Sequence, residues 1–132
     1  PKLIINEANA YTTDTMHRVT LKANTNIKAF TASYYNSLSL AFAEICGRSH
    51  GGGVLELMPN EVEEIMLPYH SSNDSLLGII DNMIRKGKPI EEILEITNEK
   101  ILKENYGFSS DEILLANSIW KKLSGRRLNR GK

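Results

Sequence analysis

Hydrophobic and polar positions alternate from Met16 to Ala23, with Val19 and Leu21 on one face and Arg18 and Lys22 on the other. A period of two predicts a half-buried strand with its cations turned outward. Lys2–Ile5, short and rich in β-branched carbon, predicts another strand. The polar stretch Asn6–Thr15 between them predicts a loop or bulged edge. The period then changes. Ile27, Phe30, Tyr34, Leu38, Ala41 and Ile45 recur every three or four residues, which predicts one long helix. Asn24, Thr25 or Asn26 can cap its start, and Gly47 stands where a left-handed residue would end it. Beyond Gly51-Gly52-Gly53, Val54–Leu57 predicts a strand. Asn60 with Glu63 predicts a capping box for a short helix ending near Leu67-Pro68.

After the polar linker Tyr69–Asn73 the pattern is helical throughout. Asp74–Arg85 carries Leu76, Leu77, Ile80 and Ile84 at helical spacing, and Gly87-Lys88-Pro89 breaks it. Ile90–Asn105 begins at Pro89 and stops at Tyr106-Gly107. Ser109 and Glu112 predict a second capping box, opening a helix to Leu123. The expected fold class is α+β: a small mixed sheet packed on a long helix, followed by a C-terminal helical lobe. The expected division is an α+β domain over residues 1–70 and a helical lobe with a basic tail over 71–132.

The chain has 132 residues, of which 41% are hydrophobic. Folding a chain of this size removes about two thirds of the unfolded surface from water, enough for a core without disulfides. One cysteine, Cys46, excludes a disulfide framework and a multi-cysteine zinc site. No apolar run reaches the ~20 residues of a membrane span, and no secretory signal opens the chain, so the expectation is a soluble cytoplasmic protein. The start at Pro1, directly before a strand pattern, suggests a piece of something longer.

Formal charge is zero but unevenly placed. Residues 1–53 hold five bases and three acids, residues 54–120 five bases and thirteen acids, and residues 121–132 six bases and no acid. A polyanion can therefore meet the first block or the tail, while the middle repels it. The plain alternative is solvated helix faces and a frayed terminus.

Three consecutive glycines are entropically expensive and fit places where backbone approaches another surface or needs positive φ. With Arg48, Ser49 and His50 before them, the run gathers a guanidinium, a hydroxyl, an imidazole and free N–H groups, which suit phosphate oxygens. It is neither a P-loop nor a dinucleotide fingerprint, because it leads into a strand and no Gly-Lys-Ser/Thr follows. Its plain alternative is a flexible helix-to-strand connection. His17, His50 and His70 have no metal-ligand spacing, so no metal is expected, and His17 is expected to pack on the core. No Gly-x-Ser-x-Gly supports a hydrolase. Cys46 is expected to be inert, and Glu61, Glu63 and Glu64 to be structural acids of a helix's first turn.

Thr13–Val19, Tyr35-Asn36-Ser37-Leu38, the run from Glu44 through Gly47-Arg48-Ser49-His50-Gly51-Gly52-Gly53 to Leu57, and Leu67-Pro68 together resemble the C-terminal part of adenine-specific N6 DNA methyltransferases of restriction–modification systems. The basic end, Ile119–Leu123 with Arg126–Lys132, is similar to the end of such enzymes. The resemblance implies an S-adenosylmethionine-dependent parent that methylates a flipped adenine. It implies that this chain is the target-recognition part. The family's glycine-bearing cofactor loop and Asn-Pro-Pro-Tyr tetrapeptide are absent from this sequence, so it implies no catalytic and no cofactor-binding residue here. The implied partners are duplex DNA and the parent's N-terminal methyltransferase domain, with no membrane. Carried over by position, the DNA-facing residues are Arg18, Arg48, Ser49 and His50 with Gly51, Gly52 and Gly53; Lys22 joins them from strand alternation. The alternative for Arg18 is an ion pair with Asp14, and for the tail cations solvated disorder. The competing function is a helical protein–protein interaction domain without DNA affinity.

Overall fold

A computed structural model of the chain describes residues 1–129. Of the expected basic tail, Arg130, Gly131 and Lys132 lie outside the described residues. The elements run α1 (Ile27–Ser33), α2 (Ser37–Cys46), β1 (Arg48–Ser49), a 3-10 turn (Gly51–Gly53), β2 (Leu55–Glu56) and α3 (Pro59–Glu63). They continue with a second 3-10 turn (Ser71–Ser75), α4 (Leu76–Arg85), α5 (Ile90–Thr97), a wide-turn π-helical stretch (Asn98–Asn105) and α6 (Ser110–Asn129). The α+β class survives only as six helices with one antiparallel pair of two-residue strands. The expected mixed sheet is absent among the described residues.

Both N-terminal strands are replaced by irregular chain. A strand needs a neighbour to complete its ladder, and neither Lys2–Ile5 nor Met16–Ala23 has one. Val19, expected to face inward, is 44% exposed. His17, expected in the core, is also exposed and bonds through Nε2 to the Leu57 carbonyl at 2.5 Å. The start of the chain is held elsewhere, by the Tyr35 hydroxyl donating to the Leu3 carbonyl at 2.8 Å.

The long helix expected from residue 27 to Gly47 is two helices. Asn36 breaks it: with φ −149° and ψ 162° it caps α2, its Oδ1 accepting from the Ser39 N–H at 2.9 Å. Its amide also donates to the Ser33 carbonyl at 2.6 Å and Ser39 Oγ at 2.9 Å. Gly47 ends α2 in extended backbone rather than left-handed (φ −79°). Glycine stands there because a Cβ would lie 2.8 Å from Leu55 Cδ1 and 2.9 Å from the Ala43 carbonyl oxygen. It lets the hairpin close directly onto the helix.

Ala32, Tyr34, Tyr35 and Leu40 pack with Leu76, Ile80, Ile93, Leu94, Ile101 and Leu102 in one cluster, so residues from both sides of positions 69–73 share an interior. Asn73, expected in a polar linker, is fully buried. Its amide donates to Ser33 Oγ at 2.8 Å, and its Oδ1 accepts from the Asn105 amide at 2.6 Å. Asn98 similarly accepts the Ser37 N–H and donates to Ser37 Oγ, both at 2.8 Å. Buried polar groups must find partners, and here the partners come from opposite halves of the chain.

Helix starts follow the expected chemistry with one shift. Ser109 and Glu112 form their box: the Ser109 N–H donates to Glu112 Oε2 at 2.8 Å and the Glu112 N–H to Ser109 Oγ at 3.2 Å. Helix α3 begins with Pro59 in its first turn, and Glu61, not Glu63, reaches back to the Met58 N–H at 2.8 Å. These backbone bonds hold the Glu61 and Glu112 carboxyls below their ordinary range. A depressed folded-state value stabilises above the ordinary range and is lost as pH falls through it. Glu112→Gln is therefore expected to flatten the acid limb of the stability–pH curve by lowering stability at neutral pH, while leaving the acid end nearly unmoved. A denaturation series from neutral to acid pH checks this.

Candidate nucleic-acid interface

The glycine run forms the tip of a hairpin. Arg48 pairs with Glu56 and Ser49 with Leu55, and the His50 N–H donates to the Val54 carbonyl at 3.0 Å, leaving Gly51–Gly53 as the loop. Gly52 and Gly53 adopt φ +75° and +79°. Side chains disfavour that region, so turn geometry by itself demands two of the three glycines. Nothing lies within 4 Å of a Cβ built on Gly51 or Gly52, whereas one on Gly53 would meet Leu128 at 3.3 Å. Free backbone is thus offered by Gly51 and Gly52, while Gly53 is applied to α6.

Arg48 faces solvent, with 65% of its side chain exposed, and its Nε donates to Glu61 Oε1 at 2.8 Å. A surface pair of this kind contributes at most about 1 kcal/mol, so it orients the guanidinium without sequestering it. Neither terminal nitrogen has a hydrogen-bond partner among the described residues. His50 Nε2 meets Glu56 Oε2 across the hairpin at 2.5 Å. Ser49 is exposed on β1. The structure therefore brings Arg48, Ser49, His50, Gly51 and Gly52 onto one projecting element. Arg18 and Lys22 lie on the exposed N-terminal loop, which the His17–Leu57 bond tethers just beyond β2. Arg18 forms no ion pair with Asp14 among the described residues.

Two residues that sequence reasoning passed over hold the hairpin in place. Arg127, near the end of α6, grips Glu44 of α2 through Nη2–Oε1 at 2.6 Å and Nε–Oε2 at 3.0 Å, and its Nη1 donates to the Gly53 carbonyl. The pair is largely withdrawn from water, with 13% and 4% of the two side chains exposed. Arg127 is thus a fixed strut, not a solvated tail cation. A signal was present in the sequence: Glu44 is the one charge in the otherwise apolar and small-residue segment Ser37–Cys46, and a lone buried charge requires a partner.

The remaining candidates are structural. Burial, with Glu64 and Glu61 nearby, pushes the Cys46 thiol up, away from the reactive thiolate. Among the described residues no three His, Cys, Asp or Glu side chains gather as a metal set, and no helix is long and apolar enough to cross a membrane. A groove of about 360 Å³ between α5 and α6 is walled by Glu91, Glu95 and Glu99 over Leu94, Ile113 and Leu114.

The family model described as the type II methyltransferase M.Eco57I, C-terminal domain, matches residues 1–102. The chain belongs to this family, and it is a C-terminal domain of a type II restriction–modification methyltransferase. Neither a curated protein nor a solved structure matches it. The family match stops before α6, the helix that carries Arg127.

Proposed function

We propose that this domain grips duplex DNA for an adenine-specific, S-adenosylmethionine-dependent methyltransferase whose catalytic part is the N-terminal domain of the same parent chain. The observation that carries the reading is the hairpin: Arg48 points outward at its base, and Gly51 and Gly52 leave main chain open at its tip. Backbone N–H groups and a guanidinium are the donors that phosphates take, and an arginine can read a guanine edge. Flipping an adenine sacrifices stacking, so contacts that hold the duplex on a separate surface are a physical requirement.

The methyl donor is assigned to the parent's other domain. The larger groove offers carboxylates and aliphatic carbon, with neither an aromatic face for an adenine ring nor a glycine loop. This groove therefore does not fit S-adenosylmethionine, and the domain alone is expected to transfer no methyl group.

Duplex affinity is expected to fall steeply with salt. Arg48→Ala and Arg18→Ala are each expected to lower the log–log salt slope by about 0.9, the value for one phosphate contact. Unchanged slopes in both variants would remove these residues from the interface. The second reading, a protein-docking helical face, is favoured by Leu114 and Leu115 standing 63% and 60% exposed beside the acidic groove. It predicts concentration-dependent sedimentation and no duplex affinity at physiological salt.

A further inference from the structure

α6 sorts its cations. Lys121 lines the acidic groove, while Arg126 turns to a separate cleft of about 140 Å³ beside β1. Ser49, Gly47 and the Glu44–Arg127 pair line the same cleft. The two partners of that pair cancel, so the cleft has the net charge of Arg126, about one positive unit. Arg126 is exposed and forms no ion pair among the described residues. Arg127 uses three of its five N–H donors on Glu44 and Gly53. Lys122, one turn earlier, lies on the same side of the helix as Arg126.

We infer that the cleft between β1 and the end of α6 is a backbone-phosphate site for duplex DNA, in which Ser49 supplies a hydroxyl and Arg126 a guanidinium. The inference rests on the DNA-gripping reading and extends it. The interface then runs from the hairpin tip across to the C-terminal helix, beyond the part of the chain that the family match covers. Arg127 sets the separation of the two donors, because it ties the helix bearing Arg126 to Glu44 on α2 and to Gly53 in the turn that follows Ser49. A neutral hydroxyl beside a cation is a common phosphate pairing, and it supplies position rather than sequence readout.

The test measures duplex binding by the full chain as a function of salt, in parallel with unfolding midpoints. Arg126→Ala is expected to lower the log–log slope by about 0.9 without moving the midpoint, and Arg126→Lys to keep the slope. Ser49→Ala is expected to weaken binding roughly threefold to tenfold with an unchanged slope, since a hydroxyl releases no counterion. In Arg48→Ala/Arg126→Ala the two slope losses are expected to add. A wild-type slope in Arg126→Ala beside a reduced slope in Arg48→Ala overturns the cleft site and leaves the hairpin reading standing. Saturable binding of inorganic phosphate at Arg126 with no change in duplex slope makes this a free-anion site and also overturns it. Absence of any salt-dependent duplex binding by the wild-type chain defeats both.

Discussion

Arg127→Ala is expected to destabilise the domain by about 3 kcal/mol, because removing one partner strands the other charge away from water. Glu44 is 4% exposed and takes both of its short contacts from this guanidinium. The loss has a second part, since the Gly53 carbonyl also loses its donor. Arg127→Lys is expected to recover only part of the deficit, as an ammonium cannot fork across a carboxylate and reach the carbonyl as well. Glu44→Leu/Arg127→Met is expected to be more stable than either single charge deletion, because buried ion pairs replaced together by apolar groups often come near neutral. Denaturant unfolding of these three variants and of Glu44→Leu alone checks the set. A deficit below about 1 kcal/mol for Arg127→Ala would show that the pair is solvated and that α6 is not anchored through it. With α6 released, duplex affinity is also expected to fall, since the hairpin tip loses its support and Arg126 its placement.

Asn36→Ala is the other large effect, again expected near 3 kcal/mol, or about 10 °C in the unfolding midpoint. The asparagine is fully buried and makes three bonds at once. Loss of the cap contributes about 1 kcal/mol, and the unsatisfied Ser33 carbonyl and Ser39 groups the remainder. Asn36→Asp keeps the cap acceptor but sets a carboxylate against the Ser33 carbonyl. A carboxyl held in that interior titrates above its unfolded value. Its contribution is therefore full at low pH and lost as pH rises through the folded value, so the deficit of Asn36→Asp should widen from acid to neutral pH. Calorimetry at two pH values checks the sign.

Several elements were legible in the residues alone. Val54–Leu57 predicted β2 to within a residue at each end, and Gly87-Lys88-Pro89 and Ser109 with Glu112 marked real helix boundaries. These signals are local, and backbone sterics or a first-turn hydrogen bond enforces them wherever they occur. The readings that failed depended on distant partners. Alternation over Met16–Ala23 specifies a strand only if a ladder and a surface are available to it, and neither is. Apolar spacing from Ile27 to Ile45 runs unbroken through the Tyr34–Asn36 corner, so periodicity hides the break. Asn36 next to Ser37 carried the capping signal that marked it. The hairpin half of the candidate site was readable because arginine, serine, histidine and glycine are adjacent in sequence. The Glu44–Arg127 half was not, because it joins positions 83 residues apart.

The asparagine network of the interior has a consequence for how such domains diversify. Ser33 with Asn73 and Ser37 with Asn98 stitch early and late segments together, and Asn105 holds Asn73 in place. A chimera joined near residue 70 with a relative lacking the matching amides would bury orphaned donors on both sides of the seam. If the domain grips DNA as proposed, new target preferences are expected to arise by exchanging residues on the outer hairpin and the terminal helix, not by shuffling halves.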